Sequence, residues 1–116
     1  MNQTVSASTK PVEVVAFGEY SLDLWRKTIS VKGRSSALPT QEVVLFRALG
    51  EAKGRYLSWY QLAEVLADYY GGNACDYSQV AIKTRISRLR ASLKQLSTTQ
   101  HDPIESRYKK GYCFKT

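Results

Sequence analysis

A stretch near the C-terminal end, "VAIKTRISRLRASLKQL" from Val80 to Leu96, most constrains how this chain can fold. At about 100° per residue, its large aliphatic side chains fall within roughly 40° of one another on a helix. These side chains are Ile82, Ile86, Leu89, Leu93 and Leu96. The pattern predicts an amphipathic helix with one narrow stripe that packs against a core.

The opposite face of this helix has a composition that suits close approach to a polyanion. Its centre carries short side chains and one arginine, namely Val80, Thr84, Ser87, Arg88 and Ala91. Cations border this centre, with Lys83, Arg90 and Lys94 on one side and Arg85 on the other. A solvated helix usually mixes Glu with Lys, whereas no acid occurs between Asp76 and Asp102. A helix that is merely basic on its solvated side is the alternative.

The outward residues divide into two predicted kinds of nucleic-acid contact. Arg bidentate to guanine is the commonest specific contact, and border cations suit phosphates. We predict base contacts for Arg88, Thr84, Arg85 and Val80, and phosphate contacts for Lys83, Ser87, Arg90 and Lys94. Two of these have structural alternatives. Arg85 is placed to pair with an acid of the preceding helix, and Arg90 flanks the core stripe.

The net positive charge of the chain lies in its last third. Residues 83–116 hold nine Lys or Arg and two acids, whereas residues 1–82 hold eight of each, so the whole net charge of +7 lies in the final segment. A polarised basic face is typical of nucleic-acid binding and, less specifically, of binding to an anionic membrane. The chain has 116 residues, of which 43% are hydrophobic, enough for one domain with a core.

Several functional classes lack their sequence signatures. There is no apolar run near 18 residues and no secretion signal at the start, so we expect a cytoplasmic protein without a membrane span. Cys75, Cys113 and the single His101 match no metal-ligand spacing, which predicts free thiols, no metal and no cofactor. No catalytic triad order or phosphate-binding loop is present, so we do not expect an enzyme.

The sequence before the basic helix predicts strands followed by two helices. After a flexible tail at residues 1–11, a single domain is predicted over 12–116. Short strands are predicted in "VEVVAF", "YSLDL" and "TISV" and near Ser35 to Leu38, followed by a helix from about Thr40. Its core candidates are Val43, Leu45, Phe46 and Leu49. In the next helix, "WYQLAEVLADYY", the residues Leu62, Val65, Leu66 and Tyr69 stand at helical spacing. Trp25, Trp59 and Tyr112 are expected to pack in the core or on the sheet.

The ends of the helices and the C-terminal segment complete the predicted fold. Ser58 followed by Gln61 suggests a capping box for the second helix, and Asp76 or Ser78 caps the basic third helix. "IESRYKKGYCFKT" then splits into two strands with "KKG" at the bend. The fold class is therefore α+β, a winged helix-turn-helix with an N-terminal four-stranded antiparallel sheet, three helices and a C-terminal β-hairpin wing.

Three segments in this order resemble the OmpR/PhoB-type winged-helix effector domain of bacterial response regulators. "LPTQEVVLFRAL" resembles the first-helix pattern of the family, although Pro39 and Thr40 stand in exchanged order. "VAIKTRISRLRASL" resembles its recognition helix, and "IESRYKKGYCF" resembles its wing, marked by Gly111, Tyr112 and Phe114. The resemblance covers about residues 12–116. The phospho-receiver domain that the family usually carries has no counterpart in this sequence.

The resemblance implies sequence-specific binding of double-stranded DNA in bacterial two-component transcription regulation, at the nucleoid. The recognition helix, about 78–96, would enter the major groove, and the wing, about 104–116, would contact the backbone or minor groove. Tyr108 stands where the family has a minor-groove Arg, so Arg107, Lys109 and Lys110 are the candidates for that charge. The loop at 71–77 corresponds to a segment that contacts RNA polymerase in some members, and tandem or homodimeric binding on DNA is a further expectation. A winged-helix module that docks an acidic protein partner is the alternative.

Overall fold

The computed structural model describes residues 13–99 and 101–115. In chain order its elements are β1 (Val14–Phe17), β2 (Tyr20–Asp23), β3 (Thr28–Val31), β4 (Arg34–Ala37), α1 (Thr40–Glu51), α2 (Trp59–Tyr70), a short 3-10 helix (Ala74–Asp76), α3 (Gln79–Leu96), β5 (Ile104–Arg107) and β6 (Gly111–Phe114). The predicted fold class and element order are confirmed. The predicted tail at residues 1–11 lies outside the described residues.

The first four strands form an antiparallel meander in the order β1-β2-β3-β4. Leu22 of β2 pairs with Ile29 of β3, and both side chains are fully buried, so one face of the sheet packs on the helices. The fourth strand begins at Arg34, one residue before the predicted start, and all its residues are exposed. The Tyr20 hydroxyl donates a hydrogen bond of 3.0 Å to the carbonyl of Leu93, which attaches the sheet to the last turns of α3.

Phe46 of α1 lies at the centre of the core, where the sheet, α1 and the hairpin meet. Its ring contacts those of Phe17, Tyr20 and Phe114 edge to face, with centroids 5.4–5.9 Å apart. Edge-to-face pairs add to the stability that area burial alone provides. The predicted core residues of α1 are all buried. The aromatic contacts connect the first strand and the last strand through one helix.

Two aromatic residues lie on the surface: Trp25, which was predicted to pack in the core or on the sheet, and Tyr69, which stands at helical spacing with the apolar residues of α2. Trp25 is 54% exposed because it follows β2 in a turn, where the Asp23 carboxylate accepts hydrogen bonds from the backbone N–H groups of Trp25 and Arg26. Tyr69 is 56% exposed in the last turn of α2, beyond Ala67, where the buried part of that helix ends. Trp59 and Tyr112 pack against the core as expected.

Side-chain caps define the starts of the second and third helices. Ser58 and Gln61 form the predicted capping box, with Ser58 Oγ accepting from the Gln61 backbone and Gln61 Oε1 accepting from the Ser58 backbone. Ser78 caps α3 by accepting from the Ala81 backbone at 3.0 Å. Asp76, the other candidate cap, instead ends the short 3-10 helix. These caps place the first residues of the basic helix close to their predicted positions.

Two kinds of site are absent from the part of the chain that the structure describes. None of its helices combines the length and apolar character that crossing a membrane requires. Within the same residues, no group of three or more His, Cys, Asp or Glu side chains is arranged to hold a metal ion. Cys75 is exposed and Cys113 is buried, and both are free thiols.

Candidate nucleic-acid interface

The basic helix α3 presents two faces that match its sequence pattern. All five aliphatic residues of the predicted stripe are buried, with Ile82, Leu89 and Leu93 at 0% exposure. The predicted contact residues on the outer side are exposed, and they are Val80, Lys83, Thr84, Ser87, Arg88 and Lys94. Val80 is the most open apolar residue of the helix, at 71% exposure. An exposed valine between polar neighbours is available for contact with a partner surface.

The hairpin is attached beside this helix through a backbone bridge. Leu57 and Tyr112 exchange N–H to carbonyl hydrogen bonds of 2.8 and 2.9 Å. The segment "KGRYL" at residues 53–57 therefore contributes a single bridging residue to the wing. Gly111 fits against the backbone of Leu57, with a φ of 110° that side chains rarely adopt.

A groove of about 500 Å³ lies between α3, the start of α2 and the wing. Cations line it from two elements, with Lys83 on α3 and Arg107, Lys109 and Lys110 on the hairpin. Its remaining lining includes Ser58, Trp59 and Gln79, which the sequence did not predict as site residues. Because Ser58 caps α2, the positive end of that helix dipole also lies at the groove. The capping-box signal predicts where α2 begins but not what its start faces.

A second groove, of about 390 Å³, runs along the other side of α3. Three predicted base-contact residues, Thr84, Arg85 and Arg88, share this groove with Gln41 from the first turn of α1. Gln41 was not predicted as a site residue, because its position in a first helical turn says nothing about packing beside α3. The outward face of α3 therefore lies between two grooves.

Three of the predicted contact arginines are engaged by acids within the domain. Arg90 donates to Asp102 Oδ2 from Nε at 3.0 Å and from Nη2 at 2.7 Å. This is the structural role that the sequence left open for Arg90. Arg107 donates to Glu105 of its own hairpin at 2.9 Å.

Arg85 also has an acidic neighbour, but from a different helix than expected. Its Nη1 lies 3.8 Å from Oε2 of Glu42, which belongs to α1. The alternative that Arg85 pairs with an acid of α2 was therefore wrong. Within the described residues, the first turn of α1 is the segment that brings an acid to this side of α3. The predicted DNA contacts of Arg85, Arg90 and Arg107 stay untested.

Glu105 organises the base of the wing. It accepts a short hydrogen bond from the Tyr56 hydroxyl, which raises the pKa of Tyr56 to about 12. The same bond lowers the pKa of Glu105. Burial opposes this, and Arg107 and Lys115 lower the pKa further. Lys110 Nζ lies over the Tyr56 ring at 5.8 Å from its centroid, so part of the wing charge packs on this aromatic ring.

The remaining predicted cations carry no ion pair within residues 13–99 and 101–115. They are Lys83, Arg88, Lys94, Lys109 and Lys110. Tyr108 lies at the tip of the wing with 87% of its surface exposed, and Lys109 Nζ is 5.6 Å from its ring centroid. These five cations are on the outward face of α3 and on the wing tip, and Lys83, Lys109 and Lys110 line the groove between the two elements.

Comparison with solved structures places this arrangement in a known fold. The DNA-binding domain of Escherichia coli CadC is 24% identical, with a TM-score of 0.74 over 89% of this chain and 92% of that chain. The Klebsiella pneumoniae RstA DNA-binding domain, solved in complex with the RstA box, is 23% identical, with a TM-score of 0.68 over 89% and 97%. DrrB of Thermotoga maritima, described as a response regulator and OmpR/PhoB homolog, is 23% identical, with a TM-score of 0.66 over 89% of this chain and 44% of DrrB.

The chain has the winged-helix fold of OmpR/PhoB type. No protein-family model matches its sequence, and no curated protein is significantly similar to it. The winged-helix fold is therefore established by structural similarity, while the sequence has diverged. Two of the three similar structures are described as DNA-binding domains and the third as a response regulator, none as an enzyme. In this winged-helix fold, α3 is the third helix and β5–β6 form the C-terminal hairpin wing.

Proposed function

We propose that this chain binds double-stranded DNA sequence-specifically and regulates transcription, with α3 in the major groove and the wing on the backbone or in the minor groove. One observation carries the proposal: the predicted contact cations that have no ion pair among the described residues lie on the outward face of α3 and on the wing tip, and three of them, Lys83, Lys109 and Lys110, line one groove. A major groove admits a helix, and phosphates on its two sides require cations at the borders of that helix.

The residues of α3 divide between reading and positioning. Arg88 and Thr84 are the proposed base readers, since both are exposed and line the groove beside α1, and Val80 suits the methyl group of a thymine. Lys83, Ser87 and Lys94 are the proposed phosphate contacts. Arg85 and Arg90 are not assigned a DNA contact in this proposal, because Glu42 and Asp102 engage them.

The wing is proposed to add contacts to the sugar-phosphate backbone or the minor groove. Lys109 and Lys110 supply the charge at its tip, and the exposed Tyr108 ring accompanies them. Arg107 is proposed to act mainly by fixing Glu105 and the hairpin, since it donates to that carboxylate. The minor-groove charge of the family has moved in this chain by one or two residues toward the tip.

Other expectations from the family resemblance stay proposals. The loop at residues 71–77 contains the short 3-10 helix and the exposed Cys75, and we propose it as the candidate surface for RNA polymerase. Tandem or homodimeric binding on DNA, a place in a two-component system and action in the cytoplasm at the nucleoid belong to the same proposal. The RstA domain, solved with the RstA box, supports DNA as the partner class.

Selection of binding sites from random duplex DNA, followed by titration of the selected duplex at several salt concentrations, tests this function. If the five predicted contact cations without acidic partners each neutralise a phosphate, log affinity falls with log salt at a slope of about −4 to −5. A selected consensus together with this slope supports the proposal. A flat salt response on duplex DNA would overturn it and would favour the winged-helix module that docks an acidic protein.

A further inference from the structure

A carboxylate lies buried beneath the recognition helix. Glu42, in the first turn of α1, is only 2% exposed, and apart from Ser97 it is the one buried polar or charged residue among the described residues. Its Oε2 lies 3.8 Å from Nη1 of Arg85 on α3. An acid this close to the proposed DNA-binding face opposes the attraction of that face to phosphate.

The burial of the Glu42 carboxylate lowers the stability of the fold, so its position requires an explanation. Burying a carboxylate is unfavourable, and removal from water raises the pKa of Glu42, although Arg85 and then Arg88 oppose that rise. A partly desolvated ion pair often contributes little or no net stability compared with an uncharged replacement of similar shape. The pair therefore suggests a role beyond holding α1 against α3.

Arg85 and Arg88 differ in their surroundings although both line the same groove. The Arg85 side chain is 32% exposed and lies at the border of α3, within ion-pair distance of Glu42. Arg88 is exposed and has no ion pair within residues 13–99 and 101–115. Glu42 thus lies within ion-pair distance of one arginine of the recognition helix, Arg85, and acts on Arg88 only over a longer distance.

We propose that Glu42 is a positioning residue that holds Arg85 at the border of α3 and removes its charge from sequence-independent binding to phosphate. This inference rests on the proposed DNA-binding function and deepens it. Specificity is the ratio of the affinity for the preferred site to the affinity for other DNA. A buried acid that lowers only the affinity for other DNA therefore raises this ratio.

The first test is Glu42→Gln, which keeps the shape of the side chain and removes its charge. Arg85 then becomes available to phosphate, so we expect affinity for random duplex DNA to rise about threefold to tenfold and the salt slope to steepen by about one. The ratio of preferred-site to random-duplex affinity should fall. Glu51→Gln is the matched control, because Glu51 also pairs with an arginine, Arg47, but at the exposed end of α1. Glu51→Gln should leave the slope unchanged.

The second test does not depend on whether Glu42→Gln folds. Arg85→Gln should leave the random-duplex affinity within about twofold and the salt slope unchanged, since Arg85 is already neutralised. In the Arg85→Gln background, Glu42→Gln should then lose most of its effect on the slope. A shallower slope for Arg85→Gln alone would show that Arg85 contacts phosphate in the wild-type chain and would overturn the proposal.

The outcomes separate this inference from the proposed function. If the wild-type chain shows no salt-dependent binding to duplex DNA, the function itself fails. If it binds with a steep slope but folded Glu42→Gln and Glu51→Gln give the same slope as the wild type, only the role of Glu42 fails. Circular dichroism of each variant establishes folding before titration.

Discussion

Arg90 donates two hydrogen bonds to the same carboxylate oxygen of Asp102, from Nε at 3.0 Å and from Nη2 at 2.7 Å. The other oxygen of Asp102 accepts the backbone N–H of Ile104 at 3.1 Å. Ile104 begins β5, so this carboxylate joins α3 to the first strand of the wing. The pair sets how α3 and the hairpin are placed relative to each other, and that placement forms the groove between them.

Asp102→Asn should lower stability at neutral pH and lose this effect in acid. Burial raises the pKa of Asp102, but the hydrogen bonds from Arg90 and from the Ile104 backbone lower it more, so its pKa lies below the ordinary value. The stability that the ionised group adds is present above the ordinary pKa of about 4 and is lost as pH falls through the lowered pKa. We expect a loss of about 1 kcal/mol in the free energy of unfolding at neutral pH for this partly exposed pair.

Urea unfolding of wild type and Asp102→Asn at pH 7 and at about pH 2.5 measures this difference. The two proteins should converge in acid. Glu51→Gln serves as the control, because the exposed pair of Glu51 with Arg47 should contribute little at either pH. An equal gap between wild type and Asp102→Asn at both pH values would show that the carboxylate charge is not what stabilises the junction.

Arg88→Ala and Lys94→Ala should separate base reading from positioning. Arg88 is exposed at the groove beside α1, so its loss should cost about 1–3 kcal/mol on the selected site and much less on random duplex DNA. Lys94→Ala should weaken both kinds of DNA similarly. Fluorescence titrations of the two duplexes at one salt concentration give the comparison. An equal loss on both duplexes for Arg88→Ala would make Arg88 a phosphate contact and move the reading role to Thr84.

Lys109→Ala combined with Lys110→Ala should reduce the magnitude of the salt slope by about two while the fold is retained. Both lysines are exposed, and substitutions on an exposed turn usually cost little stability. Tyr108→Ala is the control from the same turn, because it removes bulk without charge. Since Tyr108 is 87% exposed, its loss should leave both the melting temperature and the slope near wild type. An unchanged slope for the double-lysine variant would mean that the wing tip does not touch DNA.

Gly111→Ala should detach the wing, whereas Gly33→Ala should not. A Cβ at Gly111 would overlap the carbonyl group of Leu57 and the Cα of Ser58, and the φ of 110° adds strain. We expect a loss of more than about 2 kcal/mol in the free energy of unfolding. At Gly33, with a φ of 83° and nothing within 4 Å of the added Cβ, the loss should be about 1 kcal/mol. Hydrogen exchange at the amides of Leu57 and Tyr112 reports the bridge directly, and equal effects of the two substitutions would contradict this account.

The elements of the fold followed from local patterns in the sequence. The aliphatic spacing of Ile82 to Leu96 predicted the buried face of α3, and the same spacing predicted which side chains point outward. Ser58 with Gln61, and Ser78, marked the starts of two helices. These signals act over one or two turns, because periodicity and capping depend on side chains three or four residues apart. Counting charged residues along the sequence also showed that the net positive charge lies in the last third of the chain.

The tertiary structure alone decided which of these cations remain free. The partners Glu42 and Asp102 lie 43 and 12 residues from Arg85 and Arg90, and no local pattern encodes a distance between elements so far apart in the chain. Trp25 was misplaced for a related reason, since hydrophobic character does not tell whether a neighbouring element covers a side chain. The sequence by itself determined the helix, its buried stripe and its basic face. The packing of α1 and of the wing against α3 decided which charges that face presents, because pairing requires side chains to meet within a few ångströms in space.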